Sequence, residues 1–125
     1  LATFTCTDCS DGCATCFAVG LNNCNTCNTS SLSVDFFLVY GTNTCNQSCP
    51  NGQYANNTNF KCLLCSSNCL TCVTTATTCT SCGYSVGGYL MYLNNNTCLS
   101  TCYTGYYRNT VTLTCDLCMS ACTSC

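Results

Sequence analysis

The sequence predicts a small disulfide-rich fold: an elongated rod of tandem cysteine-rich modules with short β-hairpins and almost no helix. Three observations predict it. Cysteine occurs 20 times among 125 residues, roughly twice the ~8–10% at which a chain reads as a disulfide scaffold. The spacings between the cysteines return in phase along the chain, and turn residues with short apolar runs recur at matching offsets between them.

Cysteine density sets the compartment. A reducing cytosol keeps thiols apart, whereas secretory and surface compartments let them pair, so the expected location is extracellular or at the cell surface. Charge sets the partners. Lys61 and Arg108 are the only basic residues, Asp8, Asp11, Asp35 and Asp116 the only acidic ones, and the chain has neither His nor Glu. Nucleic acids and anionic membrane surfaces are gripped by clustered Lys and Arg, so neither is an expected partner. General acid, base and nucleophile constellations have no cast here; no catalytic residue and no cofactor is nominated, and the chain reads as a non-enzyme. The longest apolar run, Phe36 to Tyr40, falls far short of the ~18 residues of a transmembrane helix, so this segment is not expected to insert in a membrane. Residues 1–16 lack the basic start and apolar centre of a signal peptide.

Counted as residues between cysteines, the gaps run 2, 3, 2, 7, 2, 17, 3, 12 from Cys6, then 2, 3, 2, 6, 2, 15, 3, 12 from Cys62, and restart as 2, 3, 2 from Cys115. Two periods of 56 and 53 residues are the signature of an array made from one repeated unit. The organisation read from this phase is the end of a preceding repeat over 1–8, repeat 1 over 9–62, repeat 2 over 65–115 and the start of a third repeat over 118–125.

Within each repeat the elements follow in order. The window at each Cys-x3-Cys has room for one helical turn, the only helix expected. Apolar residues at Phe36 to Val39 and at Tyr89 to Tyr92 read as the first strand of a hairpin. Its turn is Tyr40-Gly41-Thr42-Asn43-Thr44-Cys45 in one repeat and Leu93-Asn94-Asn95-Asn96-Thr97-Cys98 in the other, where Asn and Gly supply the positive-φ positions of a tight hairpin. Cys49-Pro50-Asn51-Gly52-Gln53-Tyr54 lines up with Cys102-Tyr103-Thr104-Gly105-Tyr106-Tyr107, each a turn entering a strand. Phe4-Thr5-Cys6, Phe60-Lys61-Cys62 and Leu113-Thr114-Cys115 read as closing strands.

These residues resemble the furin-like repeats of growth-factor-receptor cysteine-rich domains, found also in R-spondins and in many protist surface proteins. The resemblance covers nearly the whole chain. Its core is Cys-x3-Cys-Pro-x-Gly-x-Tyr, whose second cysteine is Cys49, followed by the Cys-x2-Cys of Cys62 and Cys65; the second repeat carries Tyr103 in place of the proline, and the histidine often found after the second cysteine of a repeat is missing. Spacing alone does not fix connectivity. The resemblance implies that the first four cysteines of a repeat interlock first to third and second to fourth, with the remaining four paired consecutively: Cys9 with Cys16, Cys13 with Cys24, Cys27 with Cys45, Cys49 with Cys62, Cys65 with Cys72, Cys69 with Cys79, Cys82 with Cys98, Cys102 with Cys115, and Cys118 with Cys125. In that register Cys6 and Cys122 lack partners, which predicts a piece of a longer polypeptide; a bond from Cys6 to Cys122 of a neighbouring copy would join non-equivalent positions. Each loop of about 8 to 17 residues closed this way removes unfolded-chain entropy worth roughly 2.5 to 3 kcal/mol.

Zinc is the rival for repeated Cys-x2-Cys, since four thiolates bind it without histidine, but the cysteines are too dense and too evenly phased for separate four-ligand sites. No metal site is expected, and oxidised sulfur would also dispose of a metal-storage role. Asp8 to Gly12 lacks the ligand count of a calcium loop and reads as a surface turn. Sequons stand at Asn28, Asn46, Asn56 and Asn95, all expected in turns or loops where a glycan can project, and Thr74 to Thr80 is a compositional candidate for O-linked sugar. Phe36, Tyr54, Phe60 and Tyr107 are expected to cover cystines, while Tyr89, Tyr103 and Tyr106 are left for either cover or contact. The expected function is a structural, glycosylated segment of a repetitive cell-surface or filament-forming protein, whose partners are copies of itself, flanking repeats and glycans. The alternative is a receptor-type ectodomain binding a protein ligand.

Overall fold

A computed structural model describes residues 7–29, 34–120, 122 and 124–125. Among them are twelve strands of two to four residues and no helix. In chain order these are β1 (Cys13–Cys16), β2 (Cys24–Cys27), β3 (Phe37–Leu38), β4 (Cys45–Asn46), β5 (Gln53–Asn56), β6 (Lys61–Leu64), β7 (Cys69–Cys72), β8 (Cys79–Cys82), β9 (Tyr92–Asn94), β10 (Thr97–Leu99), β11 (Tyr106–Asn109) and β12 (Thr114–Leu117). They form two-stranded sheets β1-β2 and β7-β8 and four-stranded sheets ordered β4-β3-β6-β5 and β10-β9-β12-β11. The fold is a small disulfide-rich one of short hairpins. Backbone contacts divide the chain into two compact units, one running up to Pro50 with Ala55–Leu63, the other made of Asn51–Tyr54 with Leu64–Cys125.

The windows expected to hold a helical turn hold β-turns instead. Cys13 N donates to Ser10 O at 3.0 Å and Cys69 N to Ser66 O at 2.9 Å, and β1 and β7 start at the very cysteines that close these turns. Gly12 makes the first of these turns possible. Its φ is +85°, and a Cβ there would lie 3.0 Å from Phe36 Cδ1 and 3.3 Å from Cys45 Cβ, so both the backbone and the Phe36 ring require glycine.

The strand expected over Tyr89 to Tyr92 begins at Tyr92, and the one expected over Phe36 to Val39 is confined to Phe37–Leu38. Ahead of each strand lies a loop closed by an isolated antiparallel bridge, Thr29↔Asp35 or Tyr84↔Leu90. The hairpins also align differently from the sequence expectation. Leu38 faces Cys45 and Leu93 faces Cys98, so Leu38, not Tyr40, is the counterpart of Leu93. Between these partners lie residues 39–44 in one hairpin and 94–97 in the other. The two-residue difference between the 17- and 15-residue gaps is therefore taken up in the turn. β9 and β10 are joined by Asn95 and Asn96 with φ of 44° and 64°, the signs a type I′ turn demands at both central positions. The longer turn places Gly41 (φ 86°) and Asn43 (φ 52°) on the positive side. Asn43 and Asn96 have equivalent partners: their carbonyls accept from Cys24 N at 3.0 Å and from Cys79 N at 2.8 Å respectively.

The remaining hairpins start from the expected glycines. Gly52 (φ 83°) and Gly105 (φ 87°) precede β5 and β11, and their carbonyls accept from Cys65 N at 2.8 Å and Cys118 N at 2.9 Å. Each four-stranded sheet joins two hairpins through one parallel bridge, Leu38↔Lys61 or Leu93↔Thr114. Phe60 and Leu113, just before the bridging residue, hold φ of 53° and 55°. That conformation lets their carbonyls receive Leu38 N at 2.9 Å and Leu93 N at 2.8 Å. Phe4-Thr5-Cys6 lies outside the described residues.

Half-cystines form most of the interior. In one unit Cys69, Cys72, Cys79, Cys82, Cys98 and Met91 cluster, with Tyr54, Cys65 and Leu93 packed on them. In the other, Phe37, Val39 and Cys62 form a smaller cluster covered by Cys49, Ala55 and Phe60, with the Phe37 and Phe60 ring centroids 6.3 Å apart. Cys24 and Cys62 are the most deeply buried, at 2% and 1% exposure. Sulfur here does the packing that Leu and Ile do in larger domains.

Candidate functional site: the cystine ladder and a small cleft

Nine disulfides cross-link the described residues. Cys9–Cys16, Cys13–Cys24, Cys27–Cys45 and Cys49–Cys62 follow one another in the first repeat; Cys65–Cys72, Cys69–Cys79, Cys82–Cys98 and Cys102–Cys115 do so in the second; Cys118–Cys125 opens the third. Cα separations run from 5.1 Å at Cys69–Cys79 to 6.0 Å at Cys118–Cys125, inside the usual 4.4–6.8 Å span. β1 and β2 explain how four cysteines meet in so short a space. Cys13 faces Cys27 and Cys16 faces Cys24, with register shifts between them; β7 and β8 repeat the arrangement with Cys69 facing Cys82 and Cys72 facing Cys79. The irregularity lets the first and last residue of one strand both turn inward, which a regular pleat forbids.

Two sulfur triplets result. The Sγ atoms of Cys13, Cys24 and Cys45 lie within 4.8 Å of one another, and so do those of Cys69, Cys79 and Cys98. Each of these sulfurs is already half of a disulfide, and a disulfide sulfur carries no thiolate charge for a zinc ion. Cys122 is the free cysteine among the described residues and is exposed; Cys6 lies outside them.

Threonine hydroxyls brace the same hairpins from outside. Thr15 and Thr26 hydroxyls are 2.6 Å apart and those of Thr71 and Thr80 are 2.7 Å apart. Thr75 and Thr78 pair at 2.7 Å within the threonine-rich turn. At Asp116 the Asn109 amide donates to the carboxylate at 2.6 Å and the Thr114 hydroxyl at 2.7 Å, lowering its pKa below the ordinary carboxylate value. Asp8 and Asp11 are exposed at the Gly12 turn and Asp35 is exposed beyond β2.

Of the sequon asparagines, Asn28, Asn46 and Asn95 are exposed and Asn56 is half-buried. Asn95 stands at a turn tip, but Asn46 and Asn56 close strands β4 and β5 rather than lying in loops. The Asn56 side-chain oxygen accepts from Thr58 N at 2.9 Å, the local turn that short polar side chains favour at strand ends. Ser30 of the Asn28 sequon lies outside the described residues. Among the aromatics, Tyr54 and Phe60 lie on cystine clusters and Phe36 lies against Gly12, which Cys45 also approaches. Tyr107 stays 41% exposed beside Cys118 and Cys125. Tyr89 and Tyr103 face solvent at 73% and 64%, and Tyr106 is exposed too.

A small cleft in the first unit escaped the sequence reading. It is lined by Asn25, Thr26, Cys27, Thr29, Leu38, Asn59, Phe60 and Lys61, has a volume of about 180 Å³, and exposes more apolar than polar wall. Its two halves come from β2 and from the turn into β6, far apart in sequence and joined through the β3–β6 bridge. No spacing rule connects them.

No family model matches the sequence. Furin-like protease 2 of Drosophila melanogaster is 32% identical over 120 residues, 96% of this chain. Cysteine repeat modular protein 2 of Tetrahymena thermophila is 32% identical over 123 residues, 94% of this chain. Proprotein convertase subtilisin/kexin type 5 of Branchiostoma californiense is 36% identical over 66 residues, 53% of this chain and 4% of that protein. The chain spans 6% of the length of each of the first two, and the matches to the two proteases lie in cysteine-rich repeats, not in a catalytic domain. Phased cysteines, helix-free cystine-packed hairpins and these relatives lead to one conclusion: the chain is built of furin-like cysteine-rich repeats.

Proposed function

We propose that this chain is a structural, glycosylated segment of a repetitive extracellular protein of the cell surface or of a filament, with no catalytic activity of its own. The observation that carries the reading is the near-identical wiring of successive repeats: the same cysteine pairings, bridges and sulfur triplets recur, so modules add without any new interior having to be designed. Extracellular placement follows from the chemistry of the interior, which is oxidised sulfur. Among the described residues no helix is long and apolar enough to cross a membrane. Copies of the chain or flanking repeats, together with glycans, are the partners this reading names; nucleic acid and membrane insertion are outside it. The repeat organisation is 9–62 and 65–115, flanked by partial repeats over 1–8 and 118–125.

Non-reducing peptide mapping by mass spectrometry, on chain secreted from eukaryotic cells and compared before and after enzymatic N-glycan release, tests the reading. Expected are nine oxidised pairs and glycan on at least two of Asn28, Asn46, Asn56 and Asn95. Mainly reduced cysteine, or bare sequons throughout, removes it.

A receptor-type ectodomain is the second reading, favoured by one feature. Tyr84, Val86 and Tyr89 are 67%, 91% and 73% exposed on a tip braced by Ser85 N to Tyr89 O and Gly88 N to Ser85 O, both 2.8 Å. Rigid, exposed aromatic residues are what protein interfaces use as anchors. On this reading Tyr84→Ala and Tyr89→Ala abolish capture of a different protein and leave contacts between copies untouched.

A further inference from the structure

We propose that the cleft of the first unit, an apolar wall with a polar rim, is a carbohydrate-binding site that takes a single pyranose unit, a role independent of the structural one above. Its volume of about 180 Å³ is the liquid share of about six waters, space for one sugar ring. Most of its accessible wall is apolar, and polar side chains, among them Thr26 with its hydroxyl paired to Thr15, form the rim. Asn25, Asn59, Thr26 and Thr29 offer amides and hydroxyls, groups that both donate and accept, as each sugar hydroxyl does. Lys61 adds a donor, and no acidic side chain lines the space. Phe60 and Leu38 form its apolar part, against which the C–H face of a pyranose packs while its hydroxyls reach the polar rim, the division of labour usual in small-ligand sites.

The apolar wall of the cleft is anchored through Phe60. Phe60 is fixed by its φ of 53°, by its carbonyl bond to Leu38 N at 2.9 Å and by Phe37 behind it. The second repeat serves as an internal control for what the fold itself requires. There the positions of Asn25, Thr29, Asn59 and Lys61 are filled by Thr80, Tyr84, Thr112 and Thr114, while the backbone bridge and the positive φ are kept at Leu113 and Leu93. Neither amide nor the ammonium is therefore needed to build the hairpins. Their convergence on one cleft is left for recognition to explain.

The test is a titration of the oxidised chain with methyl glycosides of mannose, N-acetylglucosamine and glucuronic acid, followed by amide chemical shifts. Expected are saturable shifts at Asn25, Thr26, Thr29, Asn59 and Lys61 with at least one of the three, weakened about two- to tenfold by Asn59→Ala or Lys61→Ala, the loss of one hydrogen bond, with the disulfide map unchanged. A response to glucuronide alone that Lys61→Ala abolishes identifies an acidic sugar; a response to all three that survives Lys61→Ala but not Asn59→Ala identifies a neutral one. No saturable shift with any glycoside, or shifts confined to Tyr84 and Tyr89, overturns the proposal.

Discussion

Gly12 shows how a single position carries both a turn and a contact. Its φ of +85° is open to glycine and costly for other residues, and the Phe36 ring fills the space where a Cβ would go. Gly12→Ala is expected to cost about 1–3 kcal/mol, read as a lowered denaturation midpoint; an unchanged midpoint would mean that the turn relaxes at no cost. Asp116 offers a titration test at the same scale. The bond from Asn109 first, and that from Thr114 second, lower its folded-state pKa. The unfolded chain thus takes up the proton at higher pH, so the contribution is present above the unfolded pKa and lost as pH falls through the lowered, folded one. Asp116→Asn should flatten that acidic loss in a denaturation series over pH; parallel curves for the two proteins would assign the loss elsewhere. Both residues show where sequence reading stops. Gly12 was legible as a turn, yet nothing in the local sequence says that Phe36 comes to rest on it.

Hairpins reveal more sharply what was legible. Gly52 and Gly105 announced the turns into β5 and β11, because only a residue without a Cβ adopts that φ freely. Strands β1, β2, β7 and β8 were missed. Strands are recognised by alternation, but β2 and β8 are buried at both ends and not in their middle positions, because the bulge and the cross-links turn two cysteines three residues apart to one side. The candidate cleft was invisible for a different reason: its residues meet only after β3 and β6 bridge. The type I′ turn at Asn95 and Asn96 gives a prediction for this scale. Asn96→Gly preserves the Asn95 sequon and removes the Cβ from a left-handed position, so it should stabilise by a few tenths to about 1 kcal/mol. Asn96→Val should destabilise, since a β-branched residue is a poor fit to positive φ. Thermal unfolding of both variants checks the pair, and a stabilising valine would refute the turn assignment.

For the molecule, cross-links outweigh any one packing contact. Replacing Cys82 and Cys98 together by serine opens a loop with a sequence separation of 16, and chain entropy puts the loss at about 3 kcal/mol, measurable by denaturant titration without reductant; a loss well under 1 kcal/mol would show that hairpin bonds alone hold that sheet. The phase of the cysteines announced this architecture, while their connectivity had to come from a resemblance, since spacing is blind to which sulfurs end up adjacent. Finally, the turn between β3 and β4 is two residues longer than its counterpart between β9 and β10, yet Leu38 and Leu93 keep the same neighbours. The wiring therefore tolerates growth only at the outer rims of the hairpins, where added residues can decorate the surface and diverge from copy to copy. Evolution or engineering can write new recognition sequences into those rims without losing step along the array.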